Sequence, residues 1–286
     1  MALRTICYLA LVLAAAGCAP LNNAPKQTGR LAPARLAPDA AVLDIAFLRL
    51  KISDQHAYEA IWNAADEQPF SAELRKSLTT NGLRVGVFGQ QLPVQIRELL
   101  EAPRGNLEDL AEGPTSELEI GGSQQHLPVR AGYRSIIKVS KVYPSLAVLL
   151  NEEGTVRGHQ LADARCILAL KAYPQGDGRV KLGLTPEIEH GESKTRWIGS
   201  EGMMIQQTGQ ERLVLDRLRM DAVLSPGQSL LLSTGPQIKG LGESYFSQLV
   251  GSAIERRLLL IRFSQTQFDD LFAPEQTSAP LATRGE

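Results

Sequence analysis

"ARCILALKAYPQGDGRVKLGLTPEI", Ala164 to Ile188, decides the fold class. Two alternating runs flank a Gly-Asp-Gly loop, Gly176 to Gly178. Successive side chains of a strand point to opposite faces, so a two-residue period marks a strand with one face in a core. Glycine and aspartate between two such runs supply the turn of a β-hairpin. Further runs of the same kind lie on either side: "YRSIIKVSKVY" (133–143), "SLAVLL" (145–150), "ERLVLDRLRMDAVL" (211–224), "QSLLLST" (228–234) and "RRLLLIRFSQ" (256–265). Turn signals such as "NEEG", "EHGE" and "SPGQ" separate them. One helix is expected at "ESYFSQLVGS" (243–252). Many short strands at close spacing predict a mainly antiparallel, β-rich domain over 120–270.

The chain before this domain has a different texture. "AVLDIAFLRLKI" (41–52) is apolar at even and odd positions alike before Arg49 and Lys51, as in a strand that enters the middle of a sheet. "SDQHAYEAIWNAAD" opens with the cap formers Ser53 and Asp54 and puts Tyr58, Ile61, Trp62 and Ala65 on one helical stripe. "SAELRKSLTTNG" predicts a second helix, capped by Ser71 and stopped by Asn81 and Gly82. "LRVGVFG" (83–89) reads as a strand, and "PVQIRELLEA" as a helix started by Pro93 with Val94, Ile96, Leu99 and Leu100 inward. The expected class is therefore α+β: a small β-α-α-β-α unit over 41–102, then the β-rich domain. The acidic, turn-rich stretch 103–119 reads as a linker or long loop, and 271–286 as a disordered tail.

At the amino end, Arg4, an apolar core from Ile6 to Ala16 and small residues before a cut make the three parts of an export signal over 1–17. The core is shorter than the ~20 apolar residues a membrane-spanning helix needs. "AAGC", Ala15 to Cys18, resembles the bacterial lipobox, with Ala15 where Leu is usual and Leu13 two places earlier. That resemblance implies a lipid on Cys18, which becomes the new N-terminus. Residues 18–40 carry Pro20, Pro25, Pro33 and Pro38 and no sustained apolar period, so they read as a disordered tether. The expected location is exported and membrane-anchored, at the outer membrane or facing the periplasm. Of the three cysteines, Cys7 then leaves with the leader and Cys18 carries lipid. Cys166, flanked by Ile167 and Leu168, behaves as a small core hydrophobe.

Chemistry is thinly signposted. A net charge of -1, from 30 basic and 31 acidic residues, gives no global field for nucleic acid. His56, His126, His159 and His190 lie far apart. The richest acid-base group is "TPEIEHGE", where Glu187 and Glu189 share a strand face beside His190 and make a weak candidate for a hard metal. Such sites gather ligands from several elements, and a solvated strand end explains the cluster more simply. "SIIK" (135–138) matches the S-x-x-K pattern of serine acyl-enzymes, but a strand holds its serine and lysine about 10 Å apart. Arg130, Arg134, Lys138, Arg212, Arg217 and Arg219 fall mostly at alternate strand positions, the mark of a wet face. No catalytic residue, cofactor or metal site is assigned.

The order of motifs in the last third resembles the C-terminal β domain of bacterial secretins. The matching pieces are "VKLGLTPEIEHG" (180–191), "AVLSPGQSLLL" (222–232), "KGLGESYF" (239–246) and "ERRLLLIRF" (255–263). The resemblance implies a domain that forms or caps a secretion-channel ring, with the Glu187 strand beside the Leu258 strand. Across 211–224, Asp216 and Arg217 would fall on opposite faces of one strand, which sets a charge against lipid in a simple spanning hairpin. The sequence thus predicts a lipid-anchored envelope protein with a non-catalytic structural or protein-binding role. Its partners would be the membrane, through the lipid, and other envelope proteins, with an oligomer compatible and no nucleic acid. A metal-dependent hydrolase around Glu187, Glu189 and His190 is the alternative from another class.

Overall fold

The computed structural model describes residues 40–102, 118–120, 124–152, 154–200, 203–250 and 253–267. The signal segment 1–17, Cys18, the tether up to residue 39, residues 103–117 of the loop and the tail 271–286 lie outside the described residues.

β1 (Ala40–Lys51) sits where its double-sided apolar pattern requires. Leu43, Ile45 and Phe47 enter one core, and Ala46, Leu48 and Leu50 enter a second on the opposite face. It lies between β13 (Ala253–Gln267) and β4 (Gln124–Arg130). With β11 (Ser229–Thr234) and β2 (Leu83–Phe88) they form an antiparallel sheet in the order β2-β11-β13-β1-β4. β12 (Ser247–Val250) pairs with the first residues of β13. Pro128, in β4 at the sheet's end, is placed where a missing N–H donor costs least.

Between β1 and β2 come α1 (Gln55–Asn63) and α2 (Ala72–Thr80), and after β2 comes α3 (Val94–Glu101). Asp54 accepts a hydrogen bond from the Ala57 N–H at 3.1 Å and Ser71 one from the Leu74 N–H at 3.2 Å, so both expected caps form. β1 and β2 are not neighbours. Each finds its partners among strands beyond residue 120, and by contacts the folded body is one compact unit. α1 and α3 press Tyr58, Ile61, Trp62 and Ile96 onto the outer face of this sheet, against Leu48, Leu258 and Leu260. A Cβ at Gly86 would lie 2.9 Å from the Ala65 Cβ and 3.3 Å from the Trp62 ring, so glycine lets α1 lie close. Val94 is exposed, contrary to expectation. It stands two residues from Ile96, about 200° around the helix, and both cannot face inward.

The second sheet is built on the hairpin of β7 (Thr155–Pro174) and β8 (Val180–Ser200), with Cys166 opposite Ile188 and Leu170 opposite Leu184. β10 (Met220–Leu224) flanks β8, and β5 (Ser135–Lys138) and then β3 (Leu118–Ile120) follow β7; β3 and β5 run parallel. β6 (Tyr143–Glu152) pairs with the first half of β7, and β9 (Met203–Val214) with the second half of β8. Leu168, Leu170, Leu182 and Leu184 meet Leu43, Ile45, Leu259 and Ile261 in a shared core, which stacks the two sheets face to face. Each such side chain contributes about 1.5–3 kcal/mol through burial. Leu78 of α2 and Leu241, Tyr245 and Phe246 of α4 (Gly240–Phe246) join the same core. The fold is β-rich and mostly antiparallel.

Three further expectations change. The run 211–224 is two strands, β9 and β10, joined by a tight 3-10 turn over Asp216–Leu218. Leu215 and Leu218 are both buried, which three-residue spacing allows in a turn and strand alternation does not. Asp216 and Arg217 thus occupy a turn. The helix expected over 243–252 begins earlier and stops at Phe246, because Ser247–Val250 pairs with β13. The Glu187 strand, β8, and the Leu258 strand, β13, belong to different sheets, so the adjacency called for by the secretin comparison is absent. Beyond Glu189, β8 keeps β9 as its sole partner among the described residues, and the two continue as a ribbon.

Candidate binding cleft

β6 pairs with β7 alone and β12 with β13 alone among the described residues, so each has one edge without a strand; on it Asn81 bonds the Asn151 backbone of β6, and the Ser247 N–H of β12 goes to the Glu243 carbonyl. A cavity of about 770 Å³ is walled by both strands and by α4. From β6 it takes Leu146, which is buried in the shared core, and also Ala147 and Leu149 of the opposite face. Residues whose side chains point to opposite faces of one strand border the same space when that space runs along the strand's edge. Ser247, Gln248 and Leu249, three successive residues of β12, show the same arrangement. The cleft therefore lies edge-on to two strands. Leu149 and Leu249 stand 62% and 64% exposed on its rim.

The inner wall is polar and tightly organised. The Ser140 hydroxyl accepts from the Cys166 N–H at 2.9 Å and donates to the Lys141 carbonyl at 2.8 Å. Tyr143 donates its hydroxyl to the Ser244 carbonyl of α4 at 2.9 Å, and burial pushes its phenol up to about 12, so it stays a donor. Arg257 lines the cleft yet is 3% exposed. Its Nη1 donates to the Val139 carbonyl, and its guanidinium lies 4.5 Å above the Phe47 ring. Among the described residues, its Nε and Nη2 have no hydrogen-bond partner. Burial lowers its pKa to about 10, which still leaves a cation at neutral pH. Lys141 and Arg257 face one acid, Glu243, so the lining is net positive. Arg256, on the other face of β13, lies 3.9 Å over the Tyr58 ring and donates to the Pro236 carbonyl.

No family model, curated protein or solved structure matches the chain. The cleft is accordingly read from its own geometry.

Glu187 and Glu189 share a face of β8, as their spacing requires, but each carboxylate is met by a cation. Arg134 lies 2.6 Å from Glu187, and Arg212 lies 3.6 Å from Glu189. His190 follows on the opposite face. Among the described residues, no three His, Cys, Asp or Glu side chains gather to hold a metal. Ser135 and Lys138 are both buried and point to opposite sides of β5. Arg130 stacks on Tyr133 and Arg219 bonds to Asp221, so the basic residues are spread over separate local partners. Cys166 is a buried free thiol, and burial pushes it up to about 12. The residues that sequence reasoning missed are Leu149, Leu249 and Arg257. Their signal was a leucine on the polar side of a strand and a second arginine inside "ERRLLLIRF", and neither shows that two distant edges converge.

Proposed function

We propose that the chain is an exported, lipid-anchored bacterial cell-envelope protein whose folded body binds another protein chain and does no catalysis. The leader-like segment and Cys18 support the export and the anchor. One observation supports the binding: a cleft along the outer edges of two strands, with exposed leucines on its rim. Edges usually carry lysine or proline against added strands, as Pro128 does in β4. Here Leu149 and Leu249 stand exposed at the two edges, a setting in which an extended segment can add to a sheet.

A photo-crosslinking residue placed at 149 or 249, in the cells that make the protein, tests the binding. Adducts with another polypeptide are expected from both positions and not from position 177 in the β7–β8 turn. No adduct from either rim position would end the reading. For the anchor, labelled palmitate should enter the native chain and not Cys18→Ala.

A further inference from the structure

The cleft holds an unfinished electrostatic arrangement. A buried polar donor left unpaired costs about 1–3 kcal/mol, and more when it is charged. Arg257 has two such donors. Nη1 is committed to Val139, and Phe47 covers a face of the guanidinium. The donors left over, Nε and Nη2, form the side of the guanidinium that makes two parallel bonds to the two oxygens of a carboxylate. The surrounding charge has the matching sign, since Lys141 stands at the same cleft and Glu243 is the one acid among the described residues of its lining.

We propose that the occupant is an extended peptide segment bearing a carboxylate, held along the edges of β6 and β12 and clasped by the free side of the Arg257 guanidinium. This rests on the reading of the cleft as protein-binding. Short of Asn151 on β6, whose backbone groups Asn81 takes, and beyond the Ser247 N–H on β12, which goes to the Glu243 carbonyl, the two edges offer backbone donors and acceptors that a peptide can satisfy and an alkyl chain cannot. At about 3.3 Å per residue, a segment of roughly four to six residues spans the stretch of edge that lines the cleft. Nε and Nη2 are closed to solvent, so the wall yields slightly as the carboxylate arrives. The carboxylate belongs either to the segment's C-terminus or to an Asp or Glu side chain.

An array of random hexapeptides, probed with the full chain carrying a fluorescent label, tests this in three formats. The first has a free C-terminal carboxylate and no Asp or Glu. The second has a C-terminal amide with one Asp or Glu, and the third an amide with no acid. Binding is expected in the first or second format and not in the third, and whichever of those two binds identifies the source of the carboxylate. Amidating the terminus, or replacing the acid by its amide, should weaken a selected peptide at least about tenfold. Arg257→Lys, which keeps the charge and loses the fork, should weaken it similarly, and Leu149→Lys should abolish binding. The comparison of acid and amide uses the unaltered chain, so it decides even if Arg257→Lys does not fold. Equal binding of acid-free amides overturns the role of Arg257 and leaves the protein-binding reading standing. If no format yields peptides whose binding Leu149→Lys removes, the reading of the cleft itself falls.

Discussion

The Arg257 guanidinium lies 4.5 Å over the ring of Phe47. The register explains the contact: Phe47 is opposite Leu259 and Arg257 is opposite Arg49, so the two are diagonal neighbours on one face of adjacent strands. A desolvated cation–π contact contributes about 2 kcal/mol. Removing a charge from water costs several kcal/mol. The ring therefore offsets part of the burial cost and no more. Replacing Arg257 by Met, which keeps the bulk and drops the charge, should leave unfolding in urea within about 1.5 kcal/mol of the native chain. Phe47→Ala should cost about 3–5 kcal/mol. A larger loss in Arg257→Met than in Phe47→Ala would mean that the charge serves stability, against its reading as a ligand group.

Gly82 and Gly242 meet where the end of α2 crosses α4. A Cβ on Gly242 would lie 1.7 Å from the Gly82 carbonyl oxygen, and one on Gly82 would lie 2.0 Å from the Lys239 carbonyl oxygen. Gly82 also has φ +79°, in the left-handed region. Both obstacles are backbone and cannot swing aside. Gly242→Ala should therefore lower the thermal midpoint sharply or prevent folding, whereas Gly89→Ala, with nothing within 4 Å, should shift it little. Similar midpoints for the two variants would show that the crossing is looser than this contact implies.

The β7–β8 hairpin and the two-sided burial of β1 are legible in the sequence because each depends on side-chain period along a single strand. Period says which faces are covered and is silent about the neighbour at each edge. That β1 would pair with β13, some two hundred residues on, has no local signal, and this is why the first hundred residues look like a unit of their own. The Ser247–Val250 segment was lost for the same reason: its pairing with β13, more than its own preference, makes it a strand. The cleft is a product of edges, so it was the least legible feature. In "ERRLLLIRF" both arginines look like a charged strand end, and their burial follows from what Phe47 and Tyr58 place over them.

Cys166 gives stability a pH dependence with a definite sign. Burial raises the folded thiol to about 12 from an ordinary 9, against a smaller opposing effect of its hydrogen bond with Ser140. The folded state therefore keeps a proton that the unfolded state gives up. Stability from this source is complete below about pH 9 and is lost as pH climbs toward 12. Tyr143 behaves likewise from 10 upward, while Arg257, lowered to about 10, acts in the opposite sense above that value. Between pH 9 and 10 the thiol dominates these three. In a chain with Cys7 and Cys18 changed to Ser, the free energy of unfolding in urea should fall across that interval by about 1 kcal/mol. Cys166→Ala in the same background should be nearly flat, and an equal slope in both would assign the effect to another group.

The β8–β9 ribbon should be separable from the stability of the body. From Lys194 to Ser200, β8 pairs with Met203 to Gly209 of β9 and with no third strand among the described residues. A two-stranded ribbon paired to no further strand is marginally stable, so it adds little to the cooperative fold. Replacing residues 195–208 by a short Asn-Gly turn should keep the pairing of Glu187 with Val214 and of Glu189 with Arg212, which lie within the sheet. The thermal midpoint of the shortened chain should stay within about 4 °C of the native value, the shift expected for a change near 1 kcal/mol in a chain of this size. Peptide binding at the cleft should be unchanged, because no cleft residue lies in the ribbon. A drop of 10 °C or more would mean that the ribbon packs on the body, and would place it within the folding unit.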